Sequence, residues 1–416
     1  MSTTPDTLGP QPWLTADDTK QVIAALSAKG AHVRFVGGCV RNALIHEPVL
    51  DIDIATPDRP EQVVELLEAA NIKAVPTGIE HGTITAVVDG KPFEITTLRE
   101  DVDTDGRYAN VSFTEEWEAD AARRDLTVNA IYADPDGRLF DPFGGVDHIK
   151  NGIIKFIGSA TDRIQEDYLR ILRFFRFAAY YGKGDLDPTA LQAIEANKDG
   201  LKNLSAERVR AELLKLFAAP SPISTLRVMS AINVLSDILP EAKHFTRLER
   251  LVEIETNQLF VTDGFRRFST LVELDAPGVQ NLATRLRLSN AERDRLGEIQ
   301  TNDLKIVSYL SIREVRRALY KVGPETFKDL VLLHWADDPK ETNGVQWRAL
   351  LAMADGWTRP VLPLTGQDVM KAGVPEGPAI GEVLKEVEDW WIDSDFTEDE
   401  FSIVERLKAI VQATIY

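Results

Sequence analysis

RFVGGCVRNALIHEPVLDIDIAT, residues 34–56, decides how the chain is read. Arg34 to Val36 read as the end of a strand. Gly37 and Gly38 follow, and without a Cβ they let the backbone turn sharply and approach a ligand closely. Val40 to Ile45 read as a short helix, whose free N–H groups and positive dipole end face the glycine turn and suit an anion. Arg41 adds a full positive charge. Asp51 and Asp53 alternate with Ile52 and Ile54, so a strand here puts both carboxylates on one side. Two carboxylates on one side repel unless cations sit between them. An anion cradle beside a hard-cation site points to phosphoryl or nucleotidyl transfer through Mg²⁺.

Outward from this stretch, residues 20–147 alternate strand-like runs (VRFVGG, LDIDIAT, GTITAVVDG, KPFEITTL, AIYADPDG, RLFD) with helix-like ones (ADDTKQVIAALSAKG, RPEQVVELLEAAN). That pattern predicts an α/β head with a mixed sheet. Phe93 and Ile95 flank Glu94, which is either a third metal carboxylate on a neighbouring strand or a solvated strand glutamate. From residue 161 onward nearly everything has helical spacing, with Pro220 and Pro222 marking a break after one helix pair. The fold class expected is therefore α+β, a mixed-sheet head followed by an all-α remainder.

The 416 residues carry 44% hydrophobic content, enough for a large core in two to four domains, and no apolar run long enough to span a membrane. The polar, proline-containing start, MSTTPDTLGPQPWLT, reads as an ordered cap or a floppy arm, with no apolar secretory leader. One cysteine, Cys39, permits no intramolecular disulfide and fits a reducing cytoplasm. The net charge of −19 is unfavourable for a nucleic-acid binder, but the excess is uneven. Residues 331–416 hold 7 basic and 16 acidic side chains, whereas 154–215 hold 11 basic and 9 acidic ones. RNA contact is thus expected along the middle helical part, because a local basic strip decides phosphate binding.

Two further stretches carry candidate residues. In ARRDLTVNAI (122–131) an Arg pair precedes an apolar run, either to hold phosphate or ribose oxygens or as a plain surface pair. In EDYLRILRFFRFAAYYG (166–182), Glu166, Arg170 and Arg173 fall at i, i+4 and i+7 on one helical face, while Leu169, Leu172, Phe175 and Ala179 pack on another. Ordinary salt bridges would explain the same spacing.

The stretch at 34–56 resembles motif A of the bacterial and eukaryotic type of tRNA nucleotidyltransferases, the CCA-adding enzymes, and of the related bacterial poly(A) polymerases. It departs from the usual pattern at Asn42, where an Asp is usual, and at His46, where Gly is usual, which implies a turn that needs no positive φ there. ARRDLTVNAI is similar to motif B, FDPFGGVDHIKNGIIKFIG (140–158) to the hinge motif with Gly144 and Gly145 supplying flexibility, and EDYLRILRFFRFAAYYG to the base-reading motif. The resemblance implies that Asp51 and Asp53 hold two Mg²⁺ ions and that Gly37, Gly38 and Arg41 hold the triphosphate. It gives Arg124 and Asp125 the sugar side. Asp167 and Arg170 would read the Watson–Crick edge of the base, with Glu166 bracing Arg170 and with Arg173 and Arg176 as further nucleotide contacts. TTLREDVDTDGRYANVSFTEEW (96–117) is similar to the family's flexible loop that switches the site from C to A, unless it is a plain surface hairpin. VLPLTGQDVMKAGVPEGPAIGEVLKEVEDWW (361–391) resembles the C-terminal segment, with Trp390 and Trp391 packing inside a helical bundle.

On this reading the chain divides into an N-terminal arm (1–19), a catalytic head (20–147), a neck that recognises the base (148–218), and a body and tail that bind tRNA (219–416). The implied activity is template-independent addition of C, C and A to the tRNA 3′ end from CTP and ATP. A poly(A) polymerase or A-adding enzyme shares the head, and an RNA-binding module without catalysis is the rival from another class.

Overall fold

The computed structural model describes residues 7–105 and 108–415, and nine strands lie among them. They are β1 (Arg34–Val36), β2 (Ile52–Thr56), β3 (Lys73–Gly78), β4 (Thr83–Val88), β5 (Lys91–Thr97), β6 (Arg99–Asp105), β7 (Tyr108–Phe113), β8 (Tyr132–Ala133) and β9 (Leu139–Phe140). In β4, Ile84, Ala86 and Val88 are buried and the residues between them are half-buried, the period of two that a strand imposes. Seven strands form one sheet in the order β3-β4-β5-β2-β1-β8-β9. Only β2 and β5 run parallel, so the sheet is mixed as expected. Their register sets Asp53 directly beside Glu94. Helices Asp17–Leu26 and Pro60–Ala69 pack on each other and on β4.

Three features bear on the sequence reading, the first against it and the other two on the side of its alternatives, a surface hairpin and an ordered cap. β3 is an edge strand with Pro76 and a register shift between Val75 and Gly78, so it shows no alternation to read. The segment similar to a flexible loop is a two-stranded ribbon, β6 on β7, paired only with itself; its tip, Gly106 and Arg107, lies outside the described residues. Residues 1–6 of the expected arm also lie outside them, but from Leu8 the chain caps the head. The Leu8 amide donates to Gly137 O at 2.8 Å, and the Trp13 ring meets Phe35 edge-on at 4.9 Å.

The chain forms two compact units that part at Pro240. Helix Pro222–Ala231 buries Leu226 and Met229 and packs on helix Leu169–Tyr181, which keeps it with the first unit. The second unit, Glu241–Tyr416, is helical, with one core around Leu251, Phe327 and Trp335 and another around Val387, Trp391 and Leu407. Trp391 is buried and Trp390 packs partly against the same cluster, as bundle tryptophans should. Among the described residues no helix is long and apolar enough to cross a membrane.

Candidate active site

The glycine turn is built as its sequence demands. Gly37 sits at φ 69°, ψ −117°, a conformation open in practice to glycine alone, and caps helix Gly38–Leu44. A Cβ on Gly37 would stand 3.8 Å from Asp53 Oδ2 and 3.9 Å from Arg124 Nη1, so the turn faces those two side chains. The helix ends in a Schellman motif: Glu47 N donates to Asn42 O (2.9 Å) and His46 N to Ala43 O (3.3 Å). That motif puts His46 at φ 60°, which corrects the expectation that this turn avoids positive φ. The position is the C′ site where glycine is the usual residue.

One cavity of about 400 Å³ gathers nine of the expected residues from three segments: Gly37, Gly38, Arg41 and Asp53; Arg124 and Asp125; Asp167, Arg170 and Arg173. Arg123, the other member of the Arg pair, and Asn129 and Phe177, which sequence reading did not single out, complete its lining. Asp51, Glu94, Glu166 and Arg176 are not on its wall. Asp51 is exposed and precedes β2, which begins at Ile52, so the shared strand face holds only in part. Glu94 is exposed on β5. Both still act on Asp53: burial, then Glu94, then Asp51 raise its carboxyl to about 6 against the pull of Arg124 and Arg41. A carboxylate held high by burial and like charges gains from a divalent cation, so this donor set fits a metal. Among the described residues no three His, Cys, Asp or Glu side chains converge as a metal group, and Glu94 stands beside Asp53 as a charge.

The cavity's guanidinium groups are held from behind. Asp120, nearly fully buried, pairs with Arg123 (2.7 Å) and Arg124 (3.1 Å) and accepts the Tyr132 hydroxyl at 2.6 Å. Burial raises its carboxyl, but the charges of Arg124 and Arg123 outweigh that and bring it to about 2. Asp125 pairs with Arg173 at 2.5 Å and accepts from Asn129 Nδ2 at 3.1 Å. Burial again opposes ionisation, and Arg173 holds the carboxyl well below the usual range.

The base-reading stretch is not one helix. Helix Ala160–Glu166 ends at Asp167, which is extended (φ −156°), and Leu169–Tyr181 starts afresh. Asp167 cannot continue the helix because its Oδ1 accepts from Leu169 N at 3.1 Å, a local turn bond that competes with helical geometry. Glu166 nonetheless braces Arg170 at 2.5 Å, as the spacing implied. Asp167 Oδ2 is held by Arg208 at 2.6 Å, from helix Ala206–Phe217. Arg176 turns away to Glu212 (2.6 Å) and lies over the Phe177 ring at 4.5 Å, so it acts from behind that ring. Gly145 serves close packing rather than flexibility: a Cβ there would be 2.2 Å from Thr127 O. Asp120 was legible as an acid three and four residues before the Arg pair; Arg208 and Glu212, far along the chain, left no local signal. Cys39 is buried, with its thiol pushed up to about 12 by burial, and is no nucleophile.

Comparison with known proteins agrees with this geometry. Residues 33–155 match the family described as poly A polymerase head domain, and 185–246 the one described as a probable RNA and SrmB-binding site of polymerase A. CCA tRNA nucleotidyltransferase 1, mitochondrial, of Homo sapiens is 33% identical over 95% of this chain and 91% of its own length. The CCA-adding enzyme of Streptococcus gordonii is 31% identical over 93% of this chain and 96% of its own. The crystal structure of the Bacillus stearothermophilus CCA-adding enzyme in complex with CTP matches with a TM-score of 0.75 at 26% identity, covering 97% of this chain and 99% of that one.

Proposed function

The chain belongs to the CCA tRNA nucleotidyltransferase family, and we propose that it adds C, C and A to the 3′ end of tRNA without a nucleic-acid template. CTP and ATP are the substrates and pyrophosphate the product. The observation that carries this reading is the convergence of nine motif residues from three distant segments on one cavity. Nucleotidyltransferases of this family generally use divalent metals. Asp51 and Asp53 are the residues that would hold them, as two Mg²⁺ ions, which when bound supply Lewis-acid activation of the RNA 3′-hydroxyl and charge for the departing pyrophosphate.

The chain's own groups do the positioning. The 3′-hydroxyl oxygen attacks the α-phosphorus and its proton passes to solvent, while the bond from the α-phosphorus to the oxygen bridging the β-phosphate breaks and pyrophosphate leaves with that electron pair. Arg41, beside the Gly37–Gly38 turn, takes the triphosphate. Arg124 and Asp125 take the sugar side, with Arg173 held on Asp125. Asp167 accepts from the exocyclic amine that cytosine and adenine both carry, and Arg170 donates to the adjacent ring nitrogen. Arg176 contributes through Phe177. Most of the rate comes from orientation and prearranged charge, with no side-chain base needed. The neck, residues 148–218, reads the base, and the helical body and tail, residues 219–416, hold tRNA. A chain with one buried cysteine needs no oxidising compartment, which supports a cytoplasmic setting.

The test is incubation with tRNA lacking its 3′ end, Mg²⁺, and CTP or ATP alone and together. Products ending in CC with CTP alone and in CCA with both are expected. Long A tails from ATP alone would identify a poly(A) polymerase, and no incorporation an RNA-binding module.

A further inference from the structure

Among the described residues, Arg41 is the one guanidinium on the cavity with no carboxylate as a hydrogen-bond or ion-pair partner. Nη1 donates to Asn129 Oδ1 at 2.5 Å and Nη2 to the Tyr181 hydroxyl at 3.1 Å, while the Tyr181 and Phe177 rings lie 4.7 and 5.0 Å from its centre. Arg123 and Arg124 are paired with Asp120, Arg170 with Glu166, and Arg173 with Asp125. Burial disfavours the charge of Arg41, and the groups that hydrogen-bond it are neutral, although it draws on the nearby Asp53 carboxylate.

Asn129 is the hub of this arrangement. Besides accepting from Arg41, its Nδ2 donates to Asp125 Oδ1 at 3.1 Å, and its backbone oxygen accepts from Arg124 Nη1 at 3.3 Å. The amide has one possible orientation, because Arg can only donate and an ionised Asp can only accept. Its backbone is fixed as well. The Thr127 amide donates to Lys155 O at 3.0 Å, and the Thr127 hydroxyl meets His148 Nδ1 at 2.9 Å. The glycine backbone of Gly145 packs against Thr127 O from the other side.

We infer that Asn129 is a positioning residue that sets affinity for the triphosphate, by aiming Arg41 without neutralising it. The inference rests on reading the cavity as the nucleotide site. The chemistry follows from size and charge. Aspartate is nearly isosteric with asparagine, so Asn129→Asp gives Arg41 an internal counter-ion that a triphosphate must displace; it also sets an oxygen against Asp125 Oδ1 in place of the Nδ2 donor, and inorganic triphosphate, which has no sugar, separates the two effects. Asn129→Ala frees Arg41 to move but leaves its charge open. Neither change touches Asp167 or Arg170.

The experiment compares both variants with the full-length wild type, measuring KM and kcat for CTP and ATP on tRNA, inhibition by inorganic triphosphate, use of all four nucleotides, and thermal melting. Asn129→Asp should raise KM for CTP and ATP, and the inhibition constant of inorganic triphosphate, by at least about tenfold, with a much smaller change in kcat. Asn129→Ala should raise them less, by about threefold or more. The ratios among the four nucleotides should hold in both. A KM for the Asp variant near the wild-type value, or no higher than that of the Ala variant, overturns the inference. Should the Asp variant melt below the assay temperature, the Ala variant decides: an unchanged KM, or a fall in kcat alone, overturns it. A wild type that incorporates nothing ends the nucleotide-site reading itself, whereas an active wild type with unchanged variants ends only the role of Asn129.

Discussion

Two regions of this molecule bury charge, and they balance it differently. In the second unit, Arg266 donates to Asp329 (2.7 Å) and Glu255 (3.4 Å), and Arg267 to Glu255 (2.6 Å). Arg295 donates to Asp329 (2.7 Å) and Asp263 (2.6 Å). Three guanidinium groups meet three carboxylates, and each has a partner of opposite sign. On the cavity of the first unit, Arg41 hydrogen-bonds only neutral groups, and Asp53 is raised by burial and by the like charges of Glu94 and Asp51, although drawn down by Arg124 and Arg41. Burying charge is costly unless it is paired. Complete pairing serves the fold. A cation and a carboxylate left open await a ligand with the reverse pattern, an anion carrying a divalent cation, and a nucleoside triphosphate with Mg²⁺ has that pattern.

The comparison breaks first at Asp53. Asp53→Ala should lower single-turnover incorporation at saturating Mg²⁺ by about 10³-fold or more, while the melting temperature holds or rises because repulsion with Glu94 and Asp51 is relieved. Activity within about tenfold of wild type, roughly 1.4 kcal/mol, would remove Asp53 from the metal assignment. The mirror experiment is Asp329→Ala, which takes one of two carboxylates from each of Arg266 and Arg295 and leaves the cluster with three guanidinium groups on two carboxylates. It should destabilise the second unit by about 3–5 kcal/mol in denaturant unfolding and leave nucleotide selection unchanged. A loss under about 1 kcal/mol would mean that the cluster behaves like a surface network.

Between these extremes lie Asp167 and Arg170, whose partners are part of the fold while their free edges face the cavity. Asp167→Ala or Arg170→Ala should shift relative use of CTP, ATP, UTP and GTP by about 1–3 kcal/mol, through the hydrogen bond each loses. Arg208→Ala should shift it the same way by less, because Asp167 keeps its bond from Leu169 N. Constant ratios would make the pair a structural salt bridge.

These predictions also mark what the sequence discloses. Motif residues were legible because glycine, charge and spacing are local signals, and nine of them meet at the cavity. The mixed sheet was legible where strands alternate, as in β4, and not in β3, where Pro76 and an edge position remove the pattern. The break at Asp167 was missed because helical spacing runs straight through it, and only the bond from Leu169 N ends the helix. Asp120, Arg208 and Glu212 hold the site from outside its motifs, and the pairing of Arg208 and Glu212 needs the fold to bring distant segments together.

The smallest effect separates charge from backbone strain. His46 holds φ 60° at the end of the site helix, but Leu259, Arg287 and Phe396 hold similar angles in the second unit, so strain is common to both regions. Only the unbalanced charge is peculiar to the cavity. A left-handed non-glycine residue costs about 1–2 kcal/mol, and glycine gives back roughly 0.5–1 kcal/mol through its freer unfolded chain. His46→Gly should therefore stabilise the first unit by about 0.5–1 kcal/mol and raise its melting temperature by about 1–4 °C. Incorporation of C and A should not change, because the Schellman bonds to Asn42 and Ala43 use only backbone atoms and His46 is exposed. A fall in melting temperature would show that the imidazole holds the turn. A change in incorporation rate at constant stability would show that the strained turn tunes Asp51, five residues on, and that strain as well as charge distinguishes the two regions.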